Sequence, residues 1–114
     1  MIKKLLLVLF LLIGLISFQS VRSAEIDLTD EEMQKAISAY KTGVSLTRAK
    51  AYDSAIEAFQ KALAIKPDMT DAYYNIASIY IAQNKYDEAY IIYTKILAIN
   101  PHDYDSILQA AKIS

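Results

Sequence analysis

Few side chains in this 114-residue chain have the types and spacing that chemistry requires. His102 is the one histidine, placed after Pro101 and beside Asp103. Metal binding or proton transfer there would need a second ligand or a partner group. No other histidine and no cysteine exists to supply one, so His102 reads as a solvated turn residue. Asp30, Glu31 and Glu32 make the densest acidic run, directly after Thr29. A cation site is the sharper reading, but carboxylates in the first turn of a helix are favoured by its dipole, at roughly 0.3–1 kcal/mol each, and that accounts for the run. The serines and threonines have no base or orienting group in sequence context. The chain is therefore expected to be no enzyme and to hold no metal or cofactor.

Composition narrows the remaining classes. The absence of cysteine removes disulfides, thiolate metal sites and a cysteine nucleophile together. Two glycines and two prolines leave no room for a glycine-rich phosphate loop or a proline-rich linker. The net charge of −1 conceals a split: Lys3, Lys4 and Arg22 precede Glu25, whereas all 13 acidic residues lie from Glu25 onward. That later part carries nine basic residues and a net charge of −4. Displacing counterions from phosphates needs a basic surface, so nucleic acid is excluded as a partner.

An internal repeat organises the chain after residue 35. Tyr52-Asp53-Ser54-Ala55 returns 34 residues later as Tyr86-Asp87-Glu88-Ala89, and Lys61 to Pro67 returns as Lys95 to Pro101. At the same offset Phe59 meets Tyr93, Leu46 meets Tyr80 and Gly43 meets Ala77. Small residues at two fixed places, an aromatic at a third and a proline at the end suit a pair of crossing helices. Gly43, Ala77, Ala55 and Ala89 let backbones approach, and Leu46, Tyr80, Phe59 and Tyr93 fill the space left. Thr29 with Glu32 predicts a capping box, with the first helix running from near Asp30 to about Ala49. Pro67 and Pro101 end each second helix. Asn84 suits a left-handed turn between helices; Lys50, at the matching place, suits it less and predicts a strained or looser turn.

This pattern resembles the tetratricopeptide repeat family, over two full repeats (36–69 and 70–103) and an opening helix of a third (104–114), with 25–35 extending the first helix. The resemblance implies an all-α fold of antiparallel helix-turn-helix units stacked as a short right-handed solenoid. It also implies that Tyr52, Tyr73, Tyr80, Tyr86 and Tyr93 belong to the core. Family members bind extended or helical peptide segments in a concave groove lined by the first helix of each repeat, which implies an adaptor or assembly factor holding a peptide or helix of a partner. Carried over by position, the lining is Ile37, Tyr40, Lys41, Val44, Thr47 and Arg48, then Asp71, Tyr74, Asn75, Ser78 and Ile81, with Asp105, Leu108 and Gln109 from the last helix. Asn75 stands where the family often grips a peptide backbone amide, and a carboxamide can both donate and accept. Tyr40 and Tyr74 offer aromatic contact area there, with half-burial as the alternative role. Members that clamp a terminal carboxylate use three cations and an asparagine where this chain has Tyr40, Val44, Asp105 and Gln109, so a carboxylate clamp is not expected.

The N-terminus reads as an address. Lys3 and Lys4 precede an apolar run from Leu5 to Phe18, broken by Gly14 and Ser17, the order of a secretory signal. The run is shorter than the roughly 20 residues that span a bilayer. Residues 1–24 are expected to direct export to a periplasm or the exterior, with retention as a membrane anchor as the alternative. The expectation for the whole is an exported protein-binding module. A self-associating unit, paired through the exposed sides of Leu97, Ile107, Ala110 and Ala111, is the second expectation.

Overall fold

The computed structural model of the chain describes residues 27–114, so the reading of residues 1–24 as an export signal lies outside the described residues. Five helices follow in order: α1 (Asp30–Arg48), α2 (Tyr52–Ile65), α3 (Thr70–Ala82), α4 (Tyr86–Ile99) and α5 (Tyr104–Ile113). There is no strand among the described residues. The capping box is present: Thr29 Oγ1 accepts from the Glu32 amide at 3.2 Å, and Glu32 Oε2 accepts from the Thr29 amide at 3.0 Å. The last turn of α2 closes with the Lys66 amide on Ala62, and that of α4 with the Asn100 amide on Ile96, each just ahead of its proline.

The turns inside the two hairpins are the same motif. Lys50 has φ 59° and Asn84 has φ 58°. In each turn the next amide reaches back five residues, Ala51 to the Leu46 carbonyl at 2.9 Å and Lys85 to the Tyr80 carbonyl at 2.8 Å. That is the Schellman closure of a helix. The first turn is thus no looser than the second, contrary to one of the two outcomes expected for it. Its cost is a lysine held in the left-handed region, which sterics disfavour by roughly 1–2 kcal/mol.

α1 pairs with α2 and α3 with α4, α2 packs against α3, and α4 packs against α5. The buried cluster runs through both repeats: Ala55, Ile56, Phe59, Ala72, Ile76, Ala77, Ile79, Ala89, Ile92, Tyr93 and Ile96. Gly43 is needed where α1 crosses α2, because a Cβ there would meet Phe59 ring carbons at 2.7, 2.8 and 2.9 Å. Leu46, Tyr52, Tyr73 and Tyr80 are half-buried against this cluster, as expected of packing residues.

Two expectations are corrected. Tyr86 is 48% exposed and is no core residue. Its counterpart Tyr52 is half-buried against the cluster, whereas Tyr86 is not among the residues packed on it, so the same position is covered in one repeat and open in the other. Of the four residues expected to present an open end, Leu97 and Ala110 are half-buried, and Ala110 packs on the cluster; only Ile107 and Ala111 are exposed.

Candidate peptide groove

The first helices α1, α3 and α5 line one side of the array. α1 and α3 approach each other over only a few residues, so what joins them is a set of tyrosine side chains. The Tyr40 ring tilts against Phe59 at 5.5 Å between centroids and 59° between planes. The same pair returns one repeat later, with Tyr74 edge-on to Tyr93 at 6.5 Å and 65°. Each ring is thus anchored on the second helix of its own repeat, and its hydroxyl is free to reach the first helix of the next.

At the first junction, Asn75 Nδ2 donates to Tyr40 Oη at 3.2 Å and to the Asp71 carbonyl at 2.8 Å. A carbonyl can only accept, so the second bond sets which end of the amide faces α1. Both amide hydrogens are thereby used, and Asn75 Oδ1 takes no hydrogen bond from the described residues. Tyr40 accepts from Asn75, which leaves its own hydroxyl proton available. An unused acceptor, Asn75 Oδ1, and an unused donor, the Tyr40 hydroxyl proton, are therefore left at the junction of α1 and α3.

At the second junction the polar groups satisfy one another instead. Ser106 Oγ donates to Tyr74 Oη at 3.1 Å, and Asp103 Oδ1 caps α5 by accepting from the Ser106 amide at 3.1 Å. Burial pushes the Tyr74 phenol above its ordinary value, and the neighbouring Asp103 carboxylate adds to the shift. The Tyr74 hydroxyl in turn holds the Asp103 carboxyl below its usual range, helped by the Ser106 amide. Ser106 is wholly buried, at the place of Ala72 one repeat earlier, so its hydroxyl is carried into the interior for Tyr74.

The remaining residues proposed for the lining are distributed as follows. Lys41, Arg48, Asp71, Ser78, Asp105 and Leu108 are exposed; Ile37, Tyr40, Val44, Thr47, Tyr74, Asn75, Ile81 and Gln109 are half-buried. Thr47 turns back on its own helix, its Oγ1 donating to the Gly43 carbonyl at 2.8 Å. Val44 and Ile81 lean on the core. His102 is exposed in the turn before α5, where its backbone amide donates to Asn100 Oδ1 at 3.2 Å.

The sequence reading missed a pocket of about 260 Å³ at the edge of this face, lined by Met33, Ile37, Tyr40, Lys66, Met69 and Asp71. Met33 was legible in principle, since it lies one turn before Ile37 on the same face of α1. Lys66 and Met69 were not, because they come from the connection between α2 and α3, whose path follows no periodicity. A second hollow, of about 310 Å³, opens between α1 and α2 beside Lys35, Ala39 and Lys61 and shares no lining residue with this face.

The sequence profile of the tetratricopeptide repeat family matches residues 46–113, more than half of the chain. The chain belongs to the tetratricopeptide repeat family. An uncharacterised protein of Methanocaldococcus jannaschii is 33% identical over 73 residues, which cover 64% of this chain and 85% of the relative. Among solved structures, MamA superimposes with a TM-score of 0.65 at 25% identity over 71% of this chain. The chain spans 47% of MamA, just under half its length. The first TPR of Spaghetti, solved with the HSP90 peptide SRMEEVD bound, superimposes with a TM-score of 0.61 at 21% identity, over 74% of this chain and 67% of that one. These superpositions agree with a solenoid of helical hairpins, and membership of this family supports protein interaction in preference to catalysis.

Proposed function

We infer that the protein is an exported interaction module, an adaptor or assembly factor whose concave face holds a segment of a partner protein. The observation that carries this reading is the pairing of Asn75 and Tyr40, which leaves one free acceptor and one free donor together between α1 and α3. Neither Asn75 Oδ1 nor the Tyr40 hydroxyl proton is taken up by a hydrogen bond among the described residues, and a peptide unit offers their complements. The peptide bound to the first TPR of Spaghetti, which shares this fold, supports a peptide as the kind of ligand. The ligand class differs, because Tyr40, Val44, Asp105 and Gln109 provide no cationic clamp for a terminal carboxylate. Export rests on Lys3, Lys4 and the apolar run Leu5 to Phe18.

The test is affinity capture with the tagged chain and with a Tyr40→Phe, Asn75→Ala control, each shown by circular dichroism to be folded. Tyr74 is unsuited to this control, since it packs on the core and bonds buried Ser106. A partner held by the native chain and lost from the control supports the groove; equal capture by both refutes it. Self-association is a second reading, favoured by the concentration of exposed large apolar side chains in α4 and α5, among them Tyr90, Ile99, Tyr104 and Ile107. Light scattering after size exclusion decides it, and a monomer at all concentrations would dismiss it.

A further inference from the structure

Resting on the groove reading, the geometry points to a defined ligand for it: an extended peptide segment that places one large apolar side chain in the pocket formed by Met33, Ile37 and Met69. Three observations converge on this. The first is the polar pair. An extended residue presents its own N–H and C=O side by side on one edge, as it does to a neighbouring strand. Asn75 Oδ1 and the Tyr40 hydroxyl match that edge, accepting from the N–H and donating to the C=O. A helical segment has already used these groups internally and offers nothing to the pair.

The second observation is where the pocket lies relative to that pair. Tyr40 belongs to both. Ile37 and Asp71 stand one helical turn from Tyr40 and Asn75, a rise of about 5 Å, so the pocket lies within about two extended residues of a peptide held by the pair. The third is the pocket's size and chemistry. At about 260 Å³ it falls below the roughly 300–1,000 Å³ of sites that enclose whole small molecules, and it has room for a single side chain. Two thioethers and an isoleucine line it, with Lys66 and Asp71 of opposite charge also among its lining residues. Methionines repack readily around different apolar shapes, which predicts acceptance of leucine, methionine or phenylalanine over one strict choice.

The test is selection of a displayed library of random twelve-residue peptides on the immobilised full chain, repeated on Met33→Lys and on Asn75→Ala. Met33 lies outside the buried cluster and the residues packed on it, so its replacement leaves the fold intact, as a melting curve would verify. The expected result is a consensus with Leu, Met or Phe at one register position. Met33→Lys then weakens the best of these peptides roughly tenfold or more and erases the preference at that position. Asn75→Ala weakens all of them and leaves the preference. A consensus without a fixed apolar position, or one unchanged by Met33→Lys, overturns the pocket and leaves the groove standing. Apolar residues repeating every three or four positions would mark a helical ligand and overturn the extended form. Failure to select any peptide overturns the groove reading and this inference together.

Discussion

Replacing Gly43 by alanine separates two opposing effects whose sizes follow from the structure. In isolation the change favours the helix, since glycine costs about 0.8–1.0 kcal/mol relative to alanine in a helix interior. Gly43 is buried in α1, however, and the added Cβ would stand 2.7 to 2.9 Å from three ring carbons of Phe59, well inside the 3.4 Å at which ordinary contact begins. Phe59 is itself fully buried in the cluster, so its ring has no solvent to swing into. Forcing a methyl into such a site costs about 1–3 kcal/mol through off-rotamer side chains and backbone shifts. The net expectation is a loss of about 1 kcal/mol, or roughly 4–8 °C in Tm for a domain of this size. Thermal and urea unfolding followed by circular dichroism measure it. The double variant Gly43→Ala, Phe59→Leu should lose less than the sum of the two single variants, because the smaller side chain makes room for the methyl. A Gly43→Ala protein stabilised by the full helix-propensity gain would refute the argument that this residue is set by packing.

Two further outcomes are expected. Lys50→Asn, which copies the residue of the second turn into the first, should stabilise the domain by up to about 1 kcal/mol by easing the left-handed backbone at φ 59°; an unchanged urea midpoint would show that lysine is accommodated there without strain. Asp103 has a folded pKa below its ordinary 3.8, so its contribution is complete above that value and is lost as the pH falls through the lower folded value. Tyr74→Phe should diminish this acid-side loss in a series of melts from pH 5 to pH 2, and an identical acid limb in both proteins would remove Tyr74 as its cause.

The alternation of helices and turns was legible because it is local. Thr29 with Glu32, Pro67, Pro101 and Asn84 act on neighbouring backbone, and the 34-residue period aligns the two hairpins without any knowledge of packing. The small-against-large pairs were legible for the same reason: Gly43 and Phe59 recur as Ala77 and Tyr93. The exposure of Tyr86 was not, since the repeat pattern assigns it the role of Tyr52 and a period does not say what packs over each position. Nor was the polar bridge of Tyr74 and Ser106, separated by 32 residues, two short of the period in a way that no alignment of the repeats would suggest.

The sequence by itself determined the helices, their ends and which residues interlock within each hairpin, because those depend on near neighbours and on a period that the chain repeats. Only the tertiary structure decided that Asn75 turns its amide toward Tyr40 and Asp71, and that Met33 of α1 and Met69 of the connection between α2 and α3 border one opening. Those relations depend on the angle at which one repeat settles on the next. That angle is a sum over many weak side-chain contacts, and no single residue type encodes it.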